Sequence, residues 1–297
     1  MTRNTRLGLV ILCLSIALLT AAASAAGVFW RGTGATILAT SIRGERLEVT
    51  TDGVYPFNAR RIVAEGVGWD LFTLFAVVPA LLAALPGLLR GSLRGRLFVI
   101  GLLAYLFYQY LVYAMTWAFG PLFLPFVALY AASLAAIVWL VSTVDVTALS
   151  RGVSGAFPRR GMAALCLIVS LALVGMWLQR IVAGLRGDLE AAMLLGQTTM
   201  VVQALDLGLV VPLAVFTAVV ILRRRPVGFL LGPVFVVKAV AMASAICAMI
   251  LGAWSVEGRL DKGALAFFGG AALASLWLGL RMYRSLPNGA DAPASIR

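Results

Sequence analysis

The sequence predicts an all-α protein, a polytopic transmembrane bundle of eight spans, and two observations carry that prediction. Hydrophobic residues make up 62% of the 297 positions and charged residues only 12%, whereas soluble domains usually contain about 45–50% and about 25%. Apolar runs of about 20 residues, enough to cross a hydrocarbon layer of about 30 Å, recur along the whole chain. We therefore expect a single membrane domain, 1–297, that has the lipid bilayer as its main partner.

The apolar runs lie at about 7–28, 68–89, 97–117, 122–143, 162–182, 198–222, 227–253 and 264–283. The first follows two arginines and ends in Ala21-Ala-Ala-Ser-Ala-Ala. That pattern also fits a signal peptide with a small-residue cleavage site, so residues 1–26 are either a retained span or a cleaved segment. We favour the retained span.

The loop charges predict the orientation. When alternate connections are assigned to the cytoplasm, fourteen basic and two acidic residues fall there, which places the whole net charge of +12 on that side. Nine basic and nine acidic residues fall on the other side and cancel. Because basic loops stay in the cytoplasm, we expect both termini there and a flexible cytoplasmic tail at 285–297.

Several chemistries are excluded or disfavoured by composition. The chain has no histidine, so it lacks the commonest ligand of haem and zinc and the usual proton shuttle. Its cysteines, Cys13, Cys166 and Cys247, lie in separate apolar runs without a CxxC spacing. No phosphate-binding glycine loop or nucleophile elbow occurs. We expect no cofactor, no metal and no nucleic-acid partner, and we lean against an enzyme.

One polar segment is long enough to form structure outside the membrane, the extracytoplasmic loop 30–67. Residues alternate in polarity along Arg46-Leu-Glu-Val-Thr, and Asp52-Gly53 is a typical hairpin turn. This pattern predicts a small β-hairpin at 44–56. Since an isolated hairpin is marginal in water, it should lean on the outer ends of the helices. It is either a lid or partner surface, or a mere ordered connector.

Two charged residues lie deep inside apolar runs, Asp206 in the sixth and Lys238 in the seventh. A charge near the bilayer centre costs about 2.5–3.5 kcal/mol on insertion scales, so it normally faces the bundle interior and finds a partner. Helical rise places both at similar heights above the Arg223-Arg-Arg-Pro turn. We therefore predict an intramembrane ion pair, which either fixes how two helices dock or forms part of a binding site.

Further polar residues could line an outward-facing cavity with this pair. Gln203 and Thr199 precede Asp206 at helical spacing, and the third run carries a stripe of tyrosines with a glutamine. The candidate ligand-binding residues are Asp206, Lys238, Gln203, Thr199, Asp70, Tyr108, Gln109 and Arg180. The alternative is that the tyrosines only pack helices and anchor them at the interface.

Faint likeness between the halves of the chain suggests an internal repeat. Leu12-Cys13-Leu in the first run echoes Leu165-Cys166-Leu in the fifth. Asp70-Leu71 with Val77-Val78-Pro79 likewise echoes Asp206-Leu207 with Val210-Val211-Pro212. Such an arrangement would be a parallel 4+4 repeat, although low-complexity apolar sequence also produces echoes of this kind by chance.

Three segments resemble a group of uncharacterised bacterial polytopic inner-membrane proteins. They begin at Arg94-Gly-Arg-Leu-Phe-Val, at Pro121-Leu-Phe-Leu-Pro and at Gln203-Ala-Leu-Asp-Leu-Gly. The resemblance implies a location in the bacterial inner membrane and no known activity. From the residues themselves, the leading hypothesis is a small-solute transporter or ligand-binding membrane protein with an Asp-Lys polar centre. The alternative is a non-catalytic envelope assembly or sensory partner, of a protein yet unknown, that acts through the hairpin.

Overall fold

Eight long apolar helices make up most of the computed structural model, which describes residues 1–287. We number them span 1 to span 8: Arg3–Phe29, Arg60–Leu89, Leu93–Thr116, Phe123–Ser142, Arg159–Leu185, Val201–Leu222, Pro226–Glu257 and Lys262–Ser285. Two short helices, Val146–Gly152 and Leu189–Ala192, lie in connections. All eight are long and apolar enough to cross a membrane, as the apolar runs predict. Of the predicted tail 285–297, residues 288–297 lie outside the described part of the chain.

The outer surface of the bundle is apolar. Large hydrophobic side chains point away from the helices, among them Leu171, which is 76% exposed, and Leu273, which is 70% exposed. In water such a surface would be an aggregation liability, whereas hydrocarbon solvates it. The structure therefore fits a multi-pass membrane protein.

Span 3 is the central helix. Fifteen of its 24 residues are buried, against five of 20 in the neighbouring span 4. It packs against spans 2, 4 and 7. Polar side chains on span 3 therefore face other helices rather than lipid, which fixes where polar sites form.

Spans 2 and 6 share an irregular backbone. Each contains a five-residue π-helical segment, Thr73–Val77 in span 2 and Asp206–Val210 in span 6. A proline follows each segment by two positions, at Pro79 and Pro212. Proline has no N–H to donate, so a local change in the hydrogen-bond pattern there relieves the mismatch. The two segments are 133 positions apart. At this separation Thr73, and not Asp70, is the residue of span 2 that corresponds to Asp206.

The same separation continues through the turns that follow. Gly91 and Arg224 both adopt positive φ, +75° and +53°, and three backbone hydrogen bonds close each turn. The bonds of one turn match those of the other, residue for residue: Arg90 to Pro86, Gly91 to Leu88 and Ser92 to Gly87, against Arg223 to Val219, Arg224 to Ile221 and Arg225 to Val220. The turn between spans 2 and 3 thus has the same backbone hydrogen-bond pattern as the turn between spans 6 and 7.

The β-hairpin exists, but the predicted bounds 44–56 are wrong. Strand β1 is Thr36–Thr40, strand β2 is Arg46–Thr50, and they pair antiparallel. The turn between them is closed by a hydrogen bond from Ser41 N–H to the Glu45 carbonyl, 2.8 Å. It uses Gly44, whose φ is +89°. The alternating residues 46–50 were therefore the second strand, not the first.

Asp52-Gly53 makes a different connection. The Asp52 carboxylate accepts hydrogen bonds from the Thr33 N–H (2.6 Å) and hydroxyl (2.5 Å), and Val54 N–H donates to the Trp30 carbonyl. These donors lower the pKa of the Asp52 carboxyl below its ordinary value. The turn ties the end of β2 back to the chain that leaves span 1.

The hairpin leans on the bundle. Glu45 accepts from the Gly196 N–H (3.2 Å) in the connection between spans 5 and 6, and Glu48 forms a 2.8 Å ion pair with Arg60 at the start of span 2. We call this the hairpin end of the bundle. The opposite end, with the turns at 90–92 and 223–225, is the arginine end.

Candidate functional site

Asp206 is buried where three spans meet. It begins the π-helical segment of span 6 and is 7% exposed. Its Oδ1 accepts a 2.5 Å hydrogen bond from the Tyr108 hydroxyl of span 3, and its Oδ2 accepts a 2.8 Å bond from Trp177 Nε1 of span 5. Both distances are in the short range of bonds to an ionised acceptor. The carboxylate is therefore held by two neutral aromatic donors.

The predicted direct ion pair between Asp206 and Lys238 is wrong. The Lys238 ammonium lies over the ring of Tyr108, with Nζ 4.5 Å from the ring centroid. The phenol of Tyr108 therefore contacts both charged groups, the ammonium with its ring and the carboxylate with its hydroxyl. Helical rise indicated that the two residues lie within reach of each other, but it could not show that a side chain from span 3 contacts both.

Arg180 extends this arrangement toward the hairpin end. Its guanidinium lies over the Trp177 ring, with Cζ 5.1 Å from the centroid. The order of groups is then cation, ring, anion, ring, cation, from Arg180 through Trp177, Asp206 and Tyr108 to Lys238. We call these five residues the Asp206 centre. Each cation is joined to the carboxylate through an aromatic ring that offers its face to the cation and its polar hydrogen to the anion.

Two other predicted members differ in their positions. Gln203 is buried on the same helix one turn nearer the hairpin end, as predicted. Thr199 is exposed and precedes the first helical residue, Val201, so it does not share a helical face with Asp206 as predicted. The connection before span 6 leaves the helical path at that point, because Met193, Leu195 and Gly196 all take positive φ.

Asp70 and Gln109 belong to a second cluster. Asp70 is 1% exposed and accepts hydrogen bonds from the hydroxyls of Tyr55 (2.6 Å) and Tyr113 (3.3 Å). The Gln109 Oε1 accepts a 2.8 Å bond from the Thr73 hydroxyl of span 2. The prediction of one cavity lined by all the polar residues is therefore wrong for these two.

The tyrosine stripe of span 3 divides because of helical geometry. Tyr105, Gln109 and Tyr113 recur every four residues and face span 2, where Tyr105 bonds Thr73 (2.7 Å) and Trp69 (2.9 Å). Tyr108 lies about 60° from Tyr105 around the axis of span 3, at 100° per residue, and it faces span 6 instead. A stripe that looks continuous in sequence thus serves two helices.

Two functional side chains were not predicted. Trp177 lies one turn before Arg180, and an indole N–H inside an apolar run was a signal that a polar partner is near. Tyr55 lies in the loop 30–67, and nothing in its neighbourhood pointed to Asp70. Burial raises the pKa of Tyr55 well above its ordinary value. Tyr55 therefore remains a hydrogen-bond donor.

Residues 1–287 contain no group of three or more Cys, Asp or Glu side chains that could hold a metal ion. Comparison of the chain with protein families, curated proteins and solved structures finds no match. The resemblance to bacterial inner-membrane proteins stays a prediction. Functional inference therefore depends on the geometry of the site.

Proposed function

We propose that this chain is a transporter or binding protein of the bacterial inner membrane for a small charged solute, which binds at the Asp206 centre. The observation that carries the proposal is that Asp206 and Lys238 both contact Tyr108 and do not form a direct ion pair with each other. A pair that only docked two helices would be best satisfied by direct contact. Here each charge keeps hydrogen-bonding capacity that a ligand would use.

The chemistry of the site favours a solute with both an anionic and a cationic group. The Lys238 ammonium has three N–H donors, and its contact with the Tyr108 ring uses them only weakly. A carboxylate or phosphate of the solute would accept from them. An ammonium of the solute would replace Tyr108 or Trp177 at the Asp206 carboxylate. Gln203 and Arg180 lie on the hairpin side of Asp206 and would supply further polar contacts.

The irregular backbone of span 6 supports a site that moves. π-Helical segments inside α-helices occur frequently at functional sites, and Asp206 is the first residue of such a segment. Transporters commonly bind their substrates at interrupted helices in the two halves of an internal repeat. Span 2 carries the matching interruption at Thr73–Val77.

The proposal includes a parallel 4+4 repeat. Spans 1 and 5 are each 27 residues long. Span 1 packs on span 2 as span 5 packs on span 6, and span 3 packs on span 4 as span 7 packs on span 8. At the 133-position separation, Asp206 and Lys238 correspond to Thr73 and Tyr105, which hydrogen-bond directly at 2.7 Å. In this scheme the second half replaced a neutral contact by two separated charges.

The proposed orientation places the hairpin end outside and both termini in the cytoplasm. Its support is the charge partition, which assigns the whole net charge of +12 to the arginine end. A solute would then reach the Asp206 centre from the extracytoplasmic side, past Arg180.

Uptake into proteoliposomes tests the function. We expect accumulation of a charged solute by the wild-type protein, and its loss in Asp206→Asn and in Lys238→Ala. The matched controls are Asp145→Asn and Lys262→Ala, which change an exposed residue in a connection and the exposed first residue of span 8 and should leave uptake unchanged. If both site variants insert, stay monodisperse and transport like the controls, the site proposal is wrong. If both misfold, the Asp206 centre is structural.

One observation favours a second candidate, an assembly or sensory partner that acts through the hairpin. Ile37, Leu38 and Ile42 on the hairpin are 55%, 72% and 86% exposed. Apolar side chains grouped on a polar loop often mark a protein interface. Replacing all three by serine should abolish co-purification of an envelope partner and leave solute uptake intact. Loss of uptake without loss of any partner would contradict this second candidate.

A further inference from the structure

Asp70 is a buried carboxyl with neutral surroundings. Span 1 faces it with Gly27, span 3 with Tyr113 and Tyr110, and the loop after the hairpin with Tyr55. Nearer the start of its own helix, Arg61 forms ion pairs with Glu65 and with Glu257. Among residues 1–287, no cationic side chain forms an ion pair with Asp70.

The packing leaves no room for solvent around this carboxyl. A Cβ atom added at Gly27 would lie 2.0 Å from Asp70 Oδ2 and 2.6 Å from the Tyr55 hydroxyl oxygen. A carboxylate that loses water and gains no cation is strongly disfavoured, and such groups neutralise instead. The surroundings of Asp206 differ, because the Lys238 ammonium lies over the ring of Tyr108, which donates to that carboxylate.

The Tyr113 bond matches a neutral carboxylic acid, and the 2.6 Å bond from Tyr55 lies in the range of O–H···O bonds to neutral and ionised acceptors alike. Tyr113 lies 3.3 Å from Asp70 Oδ1 and 3.2 Å from the carbonyl oxygen of Gly66, longer than the roughly 2.5–2.7 Å of O–H···O⁻ bonds. If Oδ1 carries a proton, it donates to the Tyr113 oxygen, Tyr113 donates to Gly66, and Tyr55 donates to Oδ2. Each of the three O–H groups then donates one hydrogen bond.

A route connects this carboxyl with the hairpin end. A cavity of about 10 Å³ is lined by Tyr55, Tyr113 and Trp117 together with the loop residues Val54, Ala118 and Gly120. That volume is close to the minimum that holds one water molecule. Tyr55 thus stands between a water-sized space at the hairpin end and the buried Asp70.

We propose that Asp70 is a proton-binding site, occupied at neutral pH, that exchanges its proton with the solution at the hairpin end through Tyr55. In the uptake step, which starts from the ionised carboxylate, the O–H bond of Tyr55 breaks as its proton forms a bond with Asp70 Oδ2. The Tyr55 oxygen takes a proton from a hydronium ion at the hairpin end, which leaves as water, so the tyrosine is restored. Release of the proton is the reverse of this step. This inference does not depend on solute transport at the Asp206 centre.

Infrared spectroscopy of the purified protein in lipid nanodiscs tests the inference, with aspartate labelled by ¹³C at its carboxyl carbon. At neutral pH we expect a C=O band of a protonated aspartic acid that Asp70→Asn removes and Asp206→Asn retains. Tyr55→Phe should move this band to higher frequency, because the C=O loses its donor, and should slow its deuterium shift in D₂O several-fold. Tyr130→Phe is the matched control and should change neither.

Two results would overturn the inference. One is a wild-type spectrum without a protonated aspartate band at neutral pH, and the other is a band that survives in Asp70→Asn. If Asp70→Asn does not fold, Tyr55→Phe decides, since a band with unchanged frequency and exchange rate contradicts the assignment to Asp70.

Discussion

At the scale of single residues, both buried aspartates are held by aromatic donors rather than by direct contact with a cation. Asp206 bonds Tyr108 and Trp177, and Asp70 bonds Tyr55 and Tyr113. A phenol or indole supplies a polar hydrogen at the end of a large apolar body. It therefore satisfies a carboxyl between helices while the rest of the side chain still packs.

The hydrogen bond from Tyr108 to Asp206 should be measurable as stability. Tyr108→Phe keeps the ring under Lys238 and removes only the hydroxyl. We expect a loss of about 1.5–3 kcal/mol in the free energy of unfolding, since the lost bond involves a charged acceptor. Denaturant titration in detergent micelles measures it. A loss no larger than that of Tyr130→Phe would show that the bond contributes nothing.

Gly27 should tolerate no side chain. Gly27→Ala places a methyl group 2.0 Å from Asp70 Oδ2, so Asp70 and Tyr55 must move, at a cost of about 1–3 kcal/mol or more. Gly175 in span 5 has open space around its Cβ position, so Gly175→Ala should be neutral or slightly stabilising. The melting temperatures of the two variants give the comparison. Equal melting temperatures would contradict the packing described at Gly27.

At the scale of elements, close backbone contact between spans 2 and 7 positions both polar clusters. A Cβ at Gly68 would lie 2.1 Å from the Ala248 carbonyl oxygen, and one at Gly252 would lie 2.1 Å from that of Ala64. Small residues at a crossing let helix backbones approach closely. Span 7 is thereby fixed against span 2 near the hairpin end, with Lys238 further along it toward the arginine end.

The loop after span 1 should loosen in acid. Because the bonds from Thr33 lower the pKa of Asp52 in the folded protein, they stabilise the loop above the unfolded value of about 3.9, and the effect is lost as pH falls through the folded pKa. Hydrogen-exchange protection of the Thr33 amide should be constant from neutral pH to about 4 and should then fall. In Asp52→Asn we expect no such dependence, and an identical profile in both proteins would contradict the assignment.

At the scale of the whole molecule, the apolar pattern was sufficient for the spans and insufficient for the contacts between them. Span 3 was predicted at 97–117 and is Leu93–Thr116. The two agree closely because a helix must be apolar over a fixed length to cross a bilayer, and hydropathy reports that length directly. Span 2 begins at Arg60 rather than 68, since Arg61 pairs with Glu65 and Glu257 and makes a polar helical turn stable. Hydropathy does not register such pairs.

The two charged residues of the candidate site were predicted from the sequence, whereas the contact of one aromatic side chain with both of them was not. Asp206 and Lys238 stood out because each is expensive in a membrane. From the sequence, Tyr108 was only one member of the tyrosine stripe of span 3. Its contacts with both charged residues depend on how span 3 is rotated in the bundle. That rotation follows from packing on three neighbours, which a single sequence does not encode as a local pattern.

Sidedness is the main prediction at this scale. Arg43→Cys in the hairpin turn should react with a membrane-impermeant maleimide in intact spheroplasts, whereas Ser154→Cys at the arginine end should react only after permeabilisation. Cys13, Cys166 and Cys247 are replaced by alanine in the background chain. Labelling of Ser154→Cys in intact spheroplasts, with Arg43→Cys protected, would invert the proposed orientation.

Solute binding to the purified protein is the most direct test of the proposal that a small charged solute binds at the Asp206 centre. A ligand that binds only the folded state raises its melting temperature in proportion to concentration and affinity. Across a library of small anions, cations and zwitterions, we expect at least one charged solute to stabilise the wild-type protein. The stabilisation should disappear in Asp206→Asn and persist in Asp145→Asn. A library without any stabilising solute, or a stabilisation that survives in Asp206→Asn, would contradict the account.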